Sequence, residues 1–130
     1  MMMKKIEAIF PEESLDAVVS SLEAEGFHAM TIDHVKGRGR EGGILLEWRA
    51  GPYKVNFLPK VMLMIVVDAV DCDRVVWIIQ RACYQEALDA SVEGHEDATW
   101  ANRGKLFISP VEQVLSMGDY TPLADLEPSR

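Results

Sequence analysis

The stretch from Phe57 to Asp68 contains Val61-Met62-Leu63-Met64-Ile65-Val66-Val67, seven apolar residues without a break. A run this short and rich in β-branched residues reads as a strand. With nothing polar on either side of its pleat, it reads as a central one. Either both of its faces are covered within the domain, or one is buried by a neighbouring subunit. No segment of the chain approaches the roughly 20 apolar residues that span a bilayer.

The remaining elements are arranged around that strand. From Lys4 to Phe10, Ile6, Ala8 and Phe10 alternate with Lys5, Glu7 and Ile9, as in a strand with one buried face. Pro11-Glu12-Glu13-Ser14 opens a helix, its acids placed where the helix dipole favours them. Leu15, Val18, Val19 and Leu22 follow at helical spacing as a buried stripe, and Gly26 is the C-terminal stop. A second strand is predicted from about His28 to Val35. A second helix starts near Asp71 or Asp73, carries Val75, Ile78, Ile79 and Ala82 on one face, and frays past Ala87. A last strand, Lys105 to Ser109, ends at Pro110, and Val111, Val114 and Leu115 read as a short final strand or a turn. The order β-α-β-β-α-β predicts an α+β, ferredoxin-like fold, which by itself says nothing of function. At 130 residues the chain is one domain: residues 1–116, followed by a tail, 117–130, that is loose unless docked.

Charge and cysteine usage narrow the setting. The net charge of −8 argues against non-specific binding to nucleic acid, which needs clustered lysine and arginine, but allows a locally basic site for a small anion. Met-Met-Met-Lys-Lys lacks the apolar core of a signal peptide, so a cytoplasmic protein is expected. Cys72 and Cys83 lie on one predicted helix about 16 Å apart, too far for a disulfide. His28, His34 and His95 show no metal-ligand spacing, and no nucleophile–base set is recognisable, so neither a metal site nor catalysis is expected.

Two connections are too long for a compact domain without a purpose. One runs from Gly37 to about Asn56 and opens with Gly37-Arg38-Gly39-Arg40-Glu41-Gly42-Gly43; no sustained period is visible in it. The other spans residues 89–103. Gly37 and Gly39 permit backbone N–H groups to approach an anion. Arg40, and Lys105 after Gly104, are cations able to hold a phosphate.

The segments Met3-Lys4-Lys5-Ile6-Glu7-Ala8-Ile9, Leu15-Asp16, Met30-Thr31, Val35-Lys36-Gly37, Gly39-Arg40, Phe57-Leu58-Pro59-Lys60-Val61 and Gly104-Lys105-Leu106-Phe107-Ile108-Ser109-Pro110-Val111-Glu112, in that order, closely resemble the PII signal-transduction family. The resemblance implies a homotrimer that binds an adenine nucleotide in the clefts between subunits. It also implies a long T-loop, about residues 39–57, that docks onto a transporter or enzyme, so that any membrane association runs through a partner transporter. A B-loop, here an extended segment of about 89–105, would wrap the phosphates. Carried over residue by residue, the adenine is expected against Ile9, Thr31, Met64 and Val66, and the phosphates near Gly37, Gly39, Arg40, Gly104 and Lys105. Arg103 is either a replacement phosphate contact or plain surface, and Trp100 either stacks on a base or packs the loop.

The departures from the family pattern matter as much. The glutamine that usually follows the T-loop arginine and helps hold magnesium and 2-oxoglutarate is Glu41. A carboxylate is able to ligate a metal but repels an oxoacid, which leaves magnesium open. The following basic residue is Gly42. The two arginines that usually clamp a triphosphate correspond to Ser116 and Gly118, and the usual acidic partner of the B-loop lysine is Met64. The pattern resembles divergent PII-like proteins of carboxysome and inorganic-carbon operons. It implies ADP or AMP rather than ATP, with bicarbonate as a small anion near Glu41, Gly42, Gly43 and Lys60. The alternatives are nitrogen control through ATP and 2-oxoglutarate, or a trimeric scaffold without ligand. Tyr53 occupies the place of a tyrosine that some members modify, although Trp48 and Pro52 differ from the usual neighbours.

Overall fold

In the computed structural model, which describes residues 2–38, 44–48, 51–90 and 104–126, the chain forms a four-stranded antiparallel sheet with two helices on one face. Strand β1 (Met3–Pro11) leads into helix α1 (Leu15–Ala24), then β2 (Thr31–Gly37), a hairpin of β3 (Ile44–Trp48) and β4 (Gly51–Val55), and the long β5 (Leu58–Asp68). Helix α2 (Cys72–Ala90), β6 (Lys105–Val111) and the short α3 (Leu123–Leu126) complete it. The strand order β2-β5-β1-β6 is that of a ferredoxin-like fold. None of the described helices is long and apolar enough to cross a membrane.

The core lies between the sheet and the two helices. Ile6, Ala8 and Phe10 of β1 and Val61, Leu63, Ile65 and Val67 of β5 are buried against Val18 and Leu22 of α1 and Val75, Ile78, Ile79 and Ala82 of α2. Leu15 is only half-buried at the rim of that core. Gly26 ends α1 at φ +89, where a side chain would be strained. The Phe27 N–H donates to the Leu22 carbonyl at 2.9 Å and the Gly26 N–H to the Glu23 carbonyl at 3.0 Å, closing a Schellman turn. The Arg74 guanidinium of α2 pairs with Glu25, the C-cap residue within that turn, and ties the two helices together. Cys72 and Cys83 both lie on α2, and neither is in a disulfide.

Several boundaries differ from those the sequence predicts. β2 begins at Thr31, not His28, and runs on through Gly37, because its register is set by pairing with β5 (Thr31 opposite Met64, Gly37 opposite Leu58). α2 continues to Ala90 instead of fraying past Ala87. β6 passes through Pro110 to Val111; a residue without an N–H is tolerated because β6 is an edge strand. The connection after Gly37 contains regular structure: β3 and β4 pair from Ile44 opposite Val55 to Trp48 opposite Gly51. The two connecting residues, Arg49 and Ala50, lack the Asn-Gly or Asp-Gly signal of a tight hairpin, which is why the pattern reads as irregular. Gly51, at φ +117, provides the positive dihedral at the start of β4.

The apolar run of β5 is covered on one face only. Val61, Leu63, Ile65 and Val67 are buried, whereas Met62, Met64 and Val66 are half-buried on the side away from the helices. Leu63 is fully buried at the centre of the core, so Leu63→Ala is expected to destabilise the protein by about 2–5 kcal/mol, read as a lower urea midpoint at unchanged slope.

Candidate functional site

The open face of the sheet follows from the period of two in its strands. Directly opposed residues in antiparallel strands share a face, so the helix-free side is assembled in rows across the sheet. One row is Val35 and Lys60, the next Asp33, Met62, Ile9 and Lys105, and the next Thr31, Met64, Glu7 and Phe107. Val66, Lys5 and Ser109 follow. All the expected site residues in described strands (Ile9, Thr31, Gly37, Lys60, Met64, Val66 and Lys105) therefore lie on one face.

They do not converge on one point. Gly37, Lys60, Ile9, Gly104 and Lys105 gather toward the end of the face where β1 finishes and β6 begins. Thr31 and Met64 lie a row further on, and Val66 beyond them. Ile9 is opposite Met62, four residues from Val66, so these two positions are about 14 Å apart at ~3.4 Å per residue. An adenine ring is too small to touch both.

Two glycines are held by close contacts. A Cβ on Gly104 would lie 2.0 Å from the Ile9 carbonyl oxygen, so the chain enters β6 against the β1 backbone at a distance that only glycine allows. A Cβ on Gly37 would lie 3.3 Å from Cγ of Lys60, whose aliphatic stem passes over it. Lys60 is only 8% exposed. Beside Gly104 a cavity of about 240 Å³ opens between β1, β6 and α2, lined by Ile9, Phe10, Lys105, Ile79, Gln80 and Cys83 among others. It is mostly apolar, and its lining joins the end of β1 and the start of β6 to α2.

Three features of this face are absent from the expectation. Glu7 places a carboxylate across from Met64, on the same side as the missing acidic partner of the lysine, and it pairs with Lys5 at 3.4 Å. Phe107 is 54% exposed in the row of Thr31 and Met64. The Arg38 guanidinium lies 5.2 Å from the centre of the Phe57 ring, so the residues flanking the hairpin on either side are in contact. The alternation of β1 was the available signal for Glu7; in β6, Leu106-Phe107-Ile108 is a continuous apolar run that does not say which residue faces out. The Arg38–Phe57 contact spans a connection and leaves no trace in local pattern.

Of the remaining expected residues, Gly39, Arg40, Glu41, Gly42, Gly43, Trp100 and Arg103 lie outside the described residues. Tyr53 falls on β4, in register with Leu46. Ser116 caps the turn Met117–Asp119, its N–H donating to the Asp119 carboxylate at 2.9 Å, and Gly118 has open space around it. No cluster of metal-ligating side chains occurs among the described residues. His34 instead lies 3.2 Å from the Glu12 carboxylate.

Fold and face together define a ferredoxin-like protein with a hairpin inserted between β2 and β5 and one sheet face left uncovered. The sequence profile of the family "Nitrogen regulatory protein P-II" matches residues 3–118, and the chain belongs to that family. Among its relatives are nitrogen regulatory protein P-II 2 of Methanothermobacter thermautotrophicus, 37% identical over 113 residues with 87% of each chain covered, and nitrogen regulatory protein P-II of Nostoc punctiforme, 40% identical over 114 residues with 87% of this chain and 89% of the relative covered. Nitrogen regulatory protein P-II 1 of the same archaeon is 49% identical over 79 residues, covering 61% of this chain and 69% of the relative.

The two glycine contacts predict different tolerances. Gly104→Ala drives a methyl into backbone and is expected to cost about 1–3 kcal/mol or more of stability. Gly37→Ala requires the Lys60 stem to give by only a few tenths of an ångström and is expected to cost less than Gly104→Ala. Urea denaturation of both variants measures the contrast.

Proposed function

We propose that this protein is a trimeric, non-enzymatic regulator of the P-II type that acts in the cytoplasm. It binds an adenine nucleotide in the clefts between subunits and signals to a transporter or enzyme through the connection that carries the β3–β4 hairpin. The observation that carries this proposal is the division of the open face into two sets of residues. Lys60, Ile9, Gly104 and Lys105 form a cationic, glycine-supported end, while Thr31 and Met64 lie a row further on and Val66, about 14 Å from Ile9 at ~3.4 Å per residue, is too far along the sheet to reach the same ring. A cleft in which one subunit supplies the first set and its neighbour the second satisfies both. The half-buried Met62, Met64 and Val66, apolar and uncovered by the helices, are suited to burial against that neighbour.

ADP or AMP is favoured over ATP because Ser116 and Gly118 stand where two guanidiniums would hold a third phosphate. Bicarbonate is favoured as co-effector because Glu41 repels a dicarboxylate more strongly than a small monovalent anion. Lys60, beside Gly37 and almost enclosed, is the cation we assign to it. The names of the relatives favour a second reading, nitrogen regulation, for which the family resemblance implies ATP and 2-oxoglutarate as ligands.

Isothermal titration with ATP, ADP and AMP, each with and without bicarbonate and 2-oxoglutarate, separates the two. ADP or AMP binding strengthened by bicarbonate is expected. ATP binding strengthened by 2-oxoglutarate would transfer the protein to the second reading, and no heat with any ligand would leave a scaffold. Lys105→Ala and Arg40→Ala are each expected to weaken nucleotide binding by about 1.5–3 kcal/mol, the worth of a charged hydrogen bond. Unchanged affinity in both would remove the proposed phosphate site.

A further inference from the structure

The helical side of the molecule differs in charge from the sheet side. Residues 12–25 and 71–89 carry nine carboxylates and two arginines, an excess of seven negative charges against eight for the whole chain. Both arginines are engaged: Arg74 pairs with Glu25, and the Arg81 guanidinium lies 5.2 Å from the centre of the Trp77 ring.

Between α1 and α2, on this outer surface, runs a groove of about 470 Å³. Its α1 wall is built from Ala17, Ser20, Ser21 and Ala24, small side chains at helical spacing that keep that wall low. The α2 wall rises from Trp77, which is 56% exposed, past Arg81, whose guanidinium lies over the Trp77 ring, to Asp89; Glu86 and Asp89 place carboxylates along the rim, where Glu25 is already paired with Arg74. From Trp77 to Asp89 the groove runs about 18 Å at ~1.5 Å per residue, room for roughly three turns of a docked helix.

We propose that this groove is a second docking surface, independent of the nucleotide cleft, and that its occupant is a basic amphipathic helix of a partner protein. Low walls of alanine and serine admit the apolar stripe of such a helix. Trp77 is the anchor, a residue type that concentrates binding energy where it packs against a partner. The rim carboxylates face the lysines and arginines that flank the stripe. The same charge disfavours the other occupants: anionic lipid is repelled, and a second copy would bring one acidic helical layer against another.

The test uses the full-length protein and a 14-residue peptide of leucine and lysine at helical spacing, with a leucine–glutamate peptide as its counterpart. Calorimetry and tryptophan emission report binding. The lysine peptide is expected to bind and the glutamate peptide not to. Trp77→Ala, Ser20→Tyr (which fills the groove from an exposed position of α1) and the pair Glu86→Lys/Asp89→Lys are each expected to weaken binding at least tenfold. Glu13→Lys/Asp73→Lys, which makes the same charge change on the same layer but outside the groove, is expected to stay within twofold of the parent. Equal loss in the two charge-reversal pairs would reduce the effect to bulk charge and overturn the proposal. So would undiminished binding by both Trp77→Ala and Ser20→Tyr, or no binding by the parent. Concentration-dependent self-association lost in Trp77→Ala would assign the groove to a second copy and overturn it equally.

Discussion

The antiparallel pairing of β1 with β5 is the contact on which the rest of the molecule depends. It runs from Met3 opposite Asp68 to Pro11 opposite Lys60, the full length of β1. Its period of two sends Ile6, Ala8, Phe10 and the odd-numbered residues of β5 into one layer and leaves Ile9 and the even-numbered ones in the other. A slip of one residue would exchange the two sets. The helices would then rest on Lys5, Glu7 and Lys60, and burial of those charges would cost far more than the apolar residues of β5 could offset.

Fixing that register also fixes what the two sides of the molecule can do. On the helical side, α1 and α2 cover the buried layer and turn their carboxylates outward. On the other side, the methionines and valine of β5, with Ile9 and Phe107, form an apolar field that carries Lys60 and Lys105 at one end. One side is thus acidic and grooved, while the other is apolar with cations at the end near Gly104. Two kinds of recognition can coexist on a 130-residue chain because a single sheet separates them.

Much of this was legible in the chain itself. The alternation of β1, the helical stripe of Val18 and Leu22, and the stop at Gly26 are local patterns with local causes, and they lead directly to the observed elements. The continuous run Val61–Val67 was legible as a central strand, yet it left open whether one or both faces were covered, because a residue type does not record which neighbour buries it. The hairpin escaped for a different reason. Its turn lacks the glycine–asparagine chemistry that announces one, and Pro52 within β4 argues against a strand unless the strand is part of an isolated ribbon. Pro110 misled in the same way, since nothing nearby says that β6 is an edge.

By itself the sequence determined the order of the four sheet strands and the two long helices, the identity of the apolar layer and the family, because each is carried by residue types at short spacing. Tertiary structure decided the geometry of the site. Only the register across β2, β5, β1 and β6 shows that Ile9 and Val66 share a face yet lie too far apart for one ring. Only the pairing of β6 beside β1 shows that Gly104 is demanded by the Ile9 carbonyl. The groove between α1 and α2 likewise joins residues more than 50 positions apart. Such relations are set by how strands and helices meet across the core, and no local pattern in the chain encodes them.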